Sequence, residues 1–111
     1  MKKTTLVSCF LIVSLITNAA IKIDRLEPSF WWTGMQNKEL QIMVYGPNIA
    51  QCEVSVEYPG ITLDRCIKLE SPNYLFLYLS LNDNLKPGYF DIYFRQGKQK
   101  IKYRYELKAR N

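Results

Sequence analysis

The chain contains no histidine, which removes the commonest metal ligand and the commonest general base from its chemistry. Cysteine is scarce: Cys9, Cys52 and Cys66 show no Cys-x-x-Cys spacing, so a zinc site has no framework to start from. The few glycines form neither a phosphate-cradling loop nor a Gly-x-Ser-x-Gly elbow. No cofactor is expected. No apolar run approaches the ~20 residues needed to cross a bilayer as a helix. The longest, residues 6–16, is interrupted by Ser8, Cys9 and Ser14. No segment keeps a helical period, and there is no internal repeat or low-complexity linker.

What is present begins with an export signature. Lys2 and Lys3 precede that apolar run, and Thr17-Asn18-Ala19-Ala20 supplies small residues for cleavage. Residues 1–20 therefore read as a secretory signal peptide, which places the mature chain in the periplasm or outside the cell, with no membrane association after cleavage. Leu6-Val7-Ser8-Cys9 formally matches a lipoprotein box but leaves almost no apolar region before the cysteine. Residues 21–111 suffice for one domain and fall far below the ~250 of a (β/α)8 barrel.

The formal charge of +5 shrinks once Lys2 and Lys3 are set aside, leaving 13 basic against 10 acidic residues. Seven of those bases lie in the last 17 residues. Lys98, Lys100, Lys102 and Arg104 occupy successive even positions and should share one face of a strand, with Ile101, Tyr103 and Tyr105 on the other. An exported protein rarely meets nucleic acid, so none is expected as partner. Lysines that discourage edge-to-edge pairing, or docking onto an acidic neighbouring domain, account for the row better.

Short apolar runs alternate with turn signals, the pattern of an all-β sandwich or barrel. Strands are expected near 21–26, 40–44, 52–57, 61–69, 74–79, 90–94 and 101–107, seven in all. Gly46-Pro47-Asn48, Tyr58-Pro59-Gly60, Ser71-Pro72-Asn73, Lys86-Pro87-Gly88 and Gln96-Gly97-Lys98 punctuate them. Tyr74-Leu75-Phe76-Leu77-Tyr78-Leu79 is apolar or aromatic on both faces, as for a strand covered on both sides.

Export permits a Cys52–Cys66 disulfide, but the phase of alternation argues against it. Val54 and Val56 put Cys52 on the core face of its strand. Ile61, Leu63, Ile67 and Leu69 put Cys66 on the outer face of the next. Only a bulge, which shifts phase by one residue, would bring the two together. The carboxylates Glu27, Glu53, Glu57, Asp64 and Glu70 fall at strand ends or on polar faces, where solvated charges are expected, and no catalytic residue is assigned. Trp31 and Trp32 are adjacent, so on a strand they face opposite sides. Either both cover the open end of the sandwich or an interdomain seam, the favoured reading, or one plugs the core and the other is a platform for a sugar ring, which makes Trp31 and Trp32 the candidate substrate-binding residues.

Glu27-Pro28-Ser29-Phe30-Trp31-Trp32-Thr33-Gly34-Met35 reads as a strand end followed by an aromatic loop. Together with Ile23-Asp24-Arg25-Leu26, Val44-Tyr45-Gly46, Ser71-Pro72-Asn73-Tyr74-Leu75-Phe76 and Tyr105-Glu106-Leu107-Lys108, it resembles the N-terminal domain of cyclomaltodextrinases and neopullulanases of the α-amylase family. The resemblance implies an immunoglobulin-like β-sandwich of about seven antiparallel strands, standing before a catalytic barrel that hydrolyses α-1,4-glucans. The family's catalytic aspartates and glutamate lie on that barrel, so none maps here. In relatives this domain aids dimerisation and narrows the substrate cleft. The expectation is therefore a non-catalytic accessory domain, or a truncated enzyme, whose partners are the absent barrel, a second copy, or an α-glucan. The runner-up is a free-standing glucan-binding or protein-interaction module. Phe30, Met35, Lys98, Lys100, Lys102 and Arg104 are the candidate interdomain or partner contacts.

Overall fold

The structure, a computed structural model, describes residues 20–110. The expected leader lies outside the described residues. Eight strands form in chain order: β1 Arg25–Glu27, β2 Phe30–Trp32, β3 Glu39–Tyr45, β4 Glu53–Val56, β5 Ile61–Ile67, β6 Tyr74–Leu81, β7 Gly88–Gln96 and β8 Gln99–Lys108. They make two four-stranded sheets, ordered β1-β3-β6-β5 and β2-β8-β7-β4, here the first and second sheets. A single 3-10 turn, Ile49–Gln51, precedes β4, and there is no α-helix among the described residues.

Period-two alternation builds the core between the sheets. Leu40, Ile42 and Val44 of β3 lie opposite Leu79, Leu77 and Leu75 of β6. From the second sheet come Phe90, Ile92 and Phe94 of β7 with Tyr105 and Leu107 of β8, and all of these side chains are buried in one cluster. Each buried aliphatic or aromatic side chain contributes ~1.5–3 kcal/mol. The ion pairs, among them Arg25–Glu27 at 3.0 Å and Lys38–Asp83 at 2.8 Å, are exposed and of a class worth ~0–1 kcal/mol. Packing, not surface charge, holds the two layers together.

Four details depart from the sequence expectations. The aromatic segment is not a loop: Phe30, Trp31 and Trp32 pair in parallel with Glu106, Leu107 and Lys108, adding an eighth strand and, among the described residues, the one parallel ladder. It escapes a pattern search because three residues cannot show a period. Lys98 is not on the strand with the other cations. It sits with Gly97 in the two-residue turn between β7 and β8, where Gly97 (φ +59°) occupies the first turn position, the place a type II′ hairpin reserves for glycine. The first expected strand shortens to β1, although the Asp24 amide still donates to the Tyr45 carbonyl at 2.8 Å.

The fourth departure concerns Cys66. The β5–β6 register shifts between Leu63 and Arg65, the signature of a bulge at Asp64. Beyond it Cys66 lies opposite the buried Leu77, while Arg65 and Ile67 face outward with Tyr78 and Phe76. Cys66 thus turns to the inner side of β5, contrary to the alternation, yet at the sheet edge it stays exposed. Both Cys52 and Cys66 are free thiols. Burial raises both thiols above their ordinary range, with nearby Lys68 opposing each shift, so solvent access and not acidity separates exposed Cys66 from buried Cys52. In protein lacking residues 1–20, Cys66 should react with a thiol reagent at once, and Cys52 only as the protein unfolds. Two fast thiols, or none, in a native-state titration would contradict that placement.

Candidate interaction surfaces

The second sheet turns a charged and aromatic face outward. Along β8 this face carries Lys100, Lys102, Arg104, Glu106 and Lys108, opposite Arg95, Tyr93, Asp91 and Tyr89 of β7. Lys102 approaches Asp91 at 3.9 Å, and Arg95 meets Glu53 of β4 at 3.4 Å. The remaining cations rest on rings: Lys100 stands 4.7 Å from the Tyr93 centroid, Arg104 4.2 Å from Tyr89 and Lys108 4.1 Å from Phe30. Ammonium and guanidinium groups over ring faces gain from the ring quadrupole. The stripe is thus a structured surface in which alternate cations and tyrosines interlock. Three of the four cations expected together, Lys100, Lys102 and Arg104, do share it.

The tryptophans divide as adjacent strand residues must. Trp31 pairs with buried Leu107 and packs against the core; its indole Nε1 is enclosed without a hydrogen-bond partner. Trp32, opposite exposed Lys108, turns outward beside Phe30, whose ring it meets edge-on at 5.1 Å. Met35, half-buried, follows the strand and accepts the Lys38 ammonium on its carbonyl at 2.9 Å. Of the carboxylates considered, Glu27 and Glu53 pair with arginines, and Asp64 accepts the Ser80 hydroxyl. Among the described residues no group of three or more carboxylates and cysteines gathers as a metal site.

The first sheet carries a surface the sequence analysis did not single out. On its outer face Tyr45 and Met43 of β3 lie beside Tyr74 and Phe76 of β6, and Tyr78 and Phe76 lie beside Arg65 and Ile67 of β5. The rings run in series, Tyr45–Tyr74 at 4.9 Å and Tyr74–Phe76 at 6.4 Å. Arginines border them: Arg25 stands 5.5 Å from the Tyr45 centroid and Arg65 4.2 Å from Tyr78. A depression of about 590 Å³ opens beside them, lined by Leu69, Glu70, Ser71, Tyr74 and Phe76, with Leu69 60% exposed. The signal was in plain view: β6 is apolar on both faces, and the fold covers only one.

Among the described residues these features amount to two aromatic faces, and no group of three or more carboxylates and cysteines gathers on either. Compared with known families, residues 25–111, more than three quarters of the chain, match the family model described as "Cyclomaltodextrinase, N-terminal".

Proposed function

The chain belongs to the cyclomaltodextrinase N-terminal domain family, and from that premise we propose that it is a non-catalytic accessory domain of an exported α-amylase-family glycosidase acting on α-1,4-glucans. In this reading residues 1–20 are a signal peptide and residues 21–111 an immunoglobulin-like module of the periplasm or extracellular space. The module packs against a catalytic barrel or a second copy of itself and shapes the substrate cleft. The observation that carries the packing role is the outer face of the first sheet. Half-buried Tyr45, Tyr74, Phe76 and Tyr78 with exposed Leu69 form a contiguous aromatic and apolar surface, a feature that supports docking of a further domain or copy. Phe30, Met35 and the cations of β8 offer a second, more polar contact surface.

The test is direct. The purified chain should release no reducing sugar from maltodextrin or β-cyclodextrin. It should co-elute with the barrel of a related cyclomaltodextrinase expressed without its own N-terminal domain, or self-associate. The double substitution Tyr74→Ser and Phe76→Ser should abolish that association while leaving the fold intact, as judged by circular dichroism. Hydrolysis by the chain alone, or association indifferent to the double substitution, would refute the reading.

One observation favours a second reading, a glucan platform. Trp32 and Phe30 lie side by side on an outer face, where an indole could receive the apolar side of a sugar ring. Titration with maltoheptaose or β-cyclodextrin should then shift tryptophan fluorescence, and Trp32→Ala should remove the shift. An unchanged spectrum at millimolar sugar would dispose of the platform.

A further inference from the structure

Among the described residues, no strand pairs with most of the side of β8 that faces away from β7. β7 pairs with β8 from Gln99 to Leu107, whereas β2 covers only residues 106–108. Lys108 points its carbonyl to the β2 side, where the amide of Thr33, the residue just after β2, donates to it at 2.9 Å. The N–H and C=O of one residue project to the same side of a strand, and the side alternates along the chain. Lys100, Lys102 and Arg104 therefore aim their backbone groups at the open edge, three rungs without a backbone partner among the described residues. The incoming chain meets this strand at its very start, where the Ile21 amide donates to the Gln99 side chain at 2.9 Å.

The side chains around this edge specify what fits it. The residues with open backbone groups are the ones whose cationic side chains line the outer face, and all three are exposed. Between them Ile101 and Tyr103 point inward, pack against the core and remain only half-buried. A strand laid along the edge would place alternate side chains beside the cations and the others over Ile101 and Tyr103, at a repeat of ~6.6–6.8 Å on each side. A second copy of β8 would set lysine against lysine, which is how cationic edges prevent self-association. An acidic strand meets no such repulsion, and the row that excludes one partner selects the other.

We propose that the edge of β8 at Lys100, Lys102 and Arg104 receives an extended peptide segment in which acidic and apolar residues alternate, extending the second sheet by strand addition. Main-chain hydrogen bonds hold such a segment and alternate side chains select it. The proposal concerns an edge separate from the aromatic face of the first sheet and does not depend on what docks there.

The test uses the ¹⁵N-labelled chain and an end-capped peptide of alternating Glu and Val. On binding, amide exchange at Lys100, Lys102 and Arg104 should slow by roughly tenfold or more, with Ile101 and Tyr103, already bonded to β7, unchanged. Lys102→Glu should weaken binding by roughly tenfold, and a peptide N-methylated at alternate residues should fail to bind. Binding without protection of those three amides would show attraction to the charged face alone and overturn the proposal. So would equal binding of a Lys/Val peptide, or no binding at millimolar concentration.

Discussion

Tyr105→Ala should lower the unfolding free energy by about 3–5 kcal/mol, and Tyr105→Phe by about 1–2 kcal/mol. Tyr105 is 0% exposed on β8, and its ring packs 5.4 Å from that of Phe90. Its hydroxyl donates at 2.8 Å to the carbonyl of Pro28, in the link between β1 and β2. The alanine variant loses the ring and leaves a cavity between the sheets. The phenylalanine variant keeps the packing and leaves the Pro28 carbonyl without its donor, so the two costs separate ring from hydroxyl. Urea unfolding of the three proteins measures both. Equal loss in the two variants would show that the hydroxyl alone matters, and no loss in Tyr105→Phe that the Pro28 contact is idle.

The same hydroxyl makes stability depend on alkaline pH. Desolvation, and then neighbouring Tyr103, raise its pKa above the ordinary value of 10.0 in the folded chain. The neutral form is favoured by folding, so above that value the unfolded chain sheds this proton while the folded chain retains it. The contribution is intact below the unfolded pKa and is lost as pH rises from there toward the folded pKa, at up to about 1.4 kcal/mol per pH unit. Tyr105→Phe should flatten that part of the profile. An unchanged alkaline slope would assign it to other groups.

Gly46→Ala should cost about 1–3 kcal/mol, by a steric route. A Cβ at Gly46 would sit 2.2 Å from the Lys22 carbonyl oxygen and 3.3 Å from the Ile23 Cα. Both neighbours are backbone, so no rotamer change relieves the clash. The chain over residues 22–24 must lift away from the end of β3, breaking the bond from the Asp24 amide to the Tyr45 carbonyl. Native-state exchange should show Asp24 losing protection while Ile42, in the middle of β3, keeps it. A variant as stable as the parent, with Asp24 still protected, would mean the strap adjusts without cost.

The places where pattern and fold agree share a cause. β3, β6 and β7 are long enough to display a period of two, and one face of each meets the core, so Leu40, Ile42, Leu75, Leu77, Phe90 and Ile92 announce themselves. The surfaces were less legible. Lys100, Lys102 and Arg104 could be placed on one face from spacing alone, whereas Lys98 could not be excluded until the two-residue turn was known. Tyr74, Phe76 and Tyr78 looked like interior residues, because apolarity does not say whether the cover comes from the same fold or from a partner.

The amino-acid order by itself determined the all-β class, the inward residues of the long strands and the family, since each rests on local alternation or on runs of specific residues. Tertiary structure decided which strands share a sheet, that Phe30, Trp31 and Trp32 run parallel to the end of β8, and that among the described residues no strand covers the rest of that edge. It also decided that one extra residue at Asp64 turns Cys66 inward. Pairing, register and bulges are set by contacts between segments far apart in the chain, and the period of a single segment is the same whichever neighbour it finds.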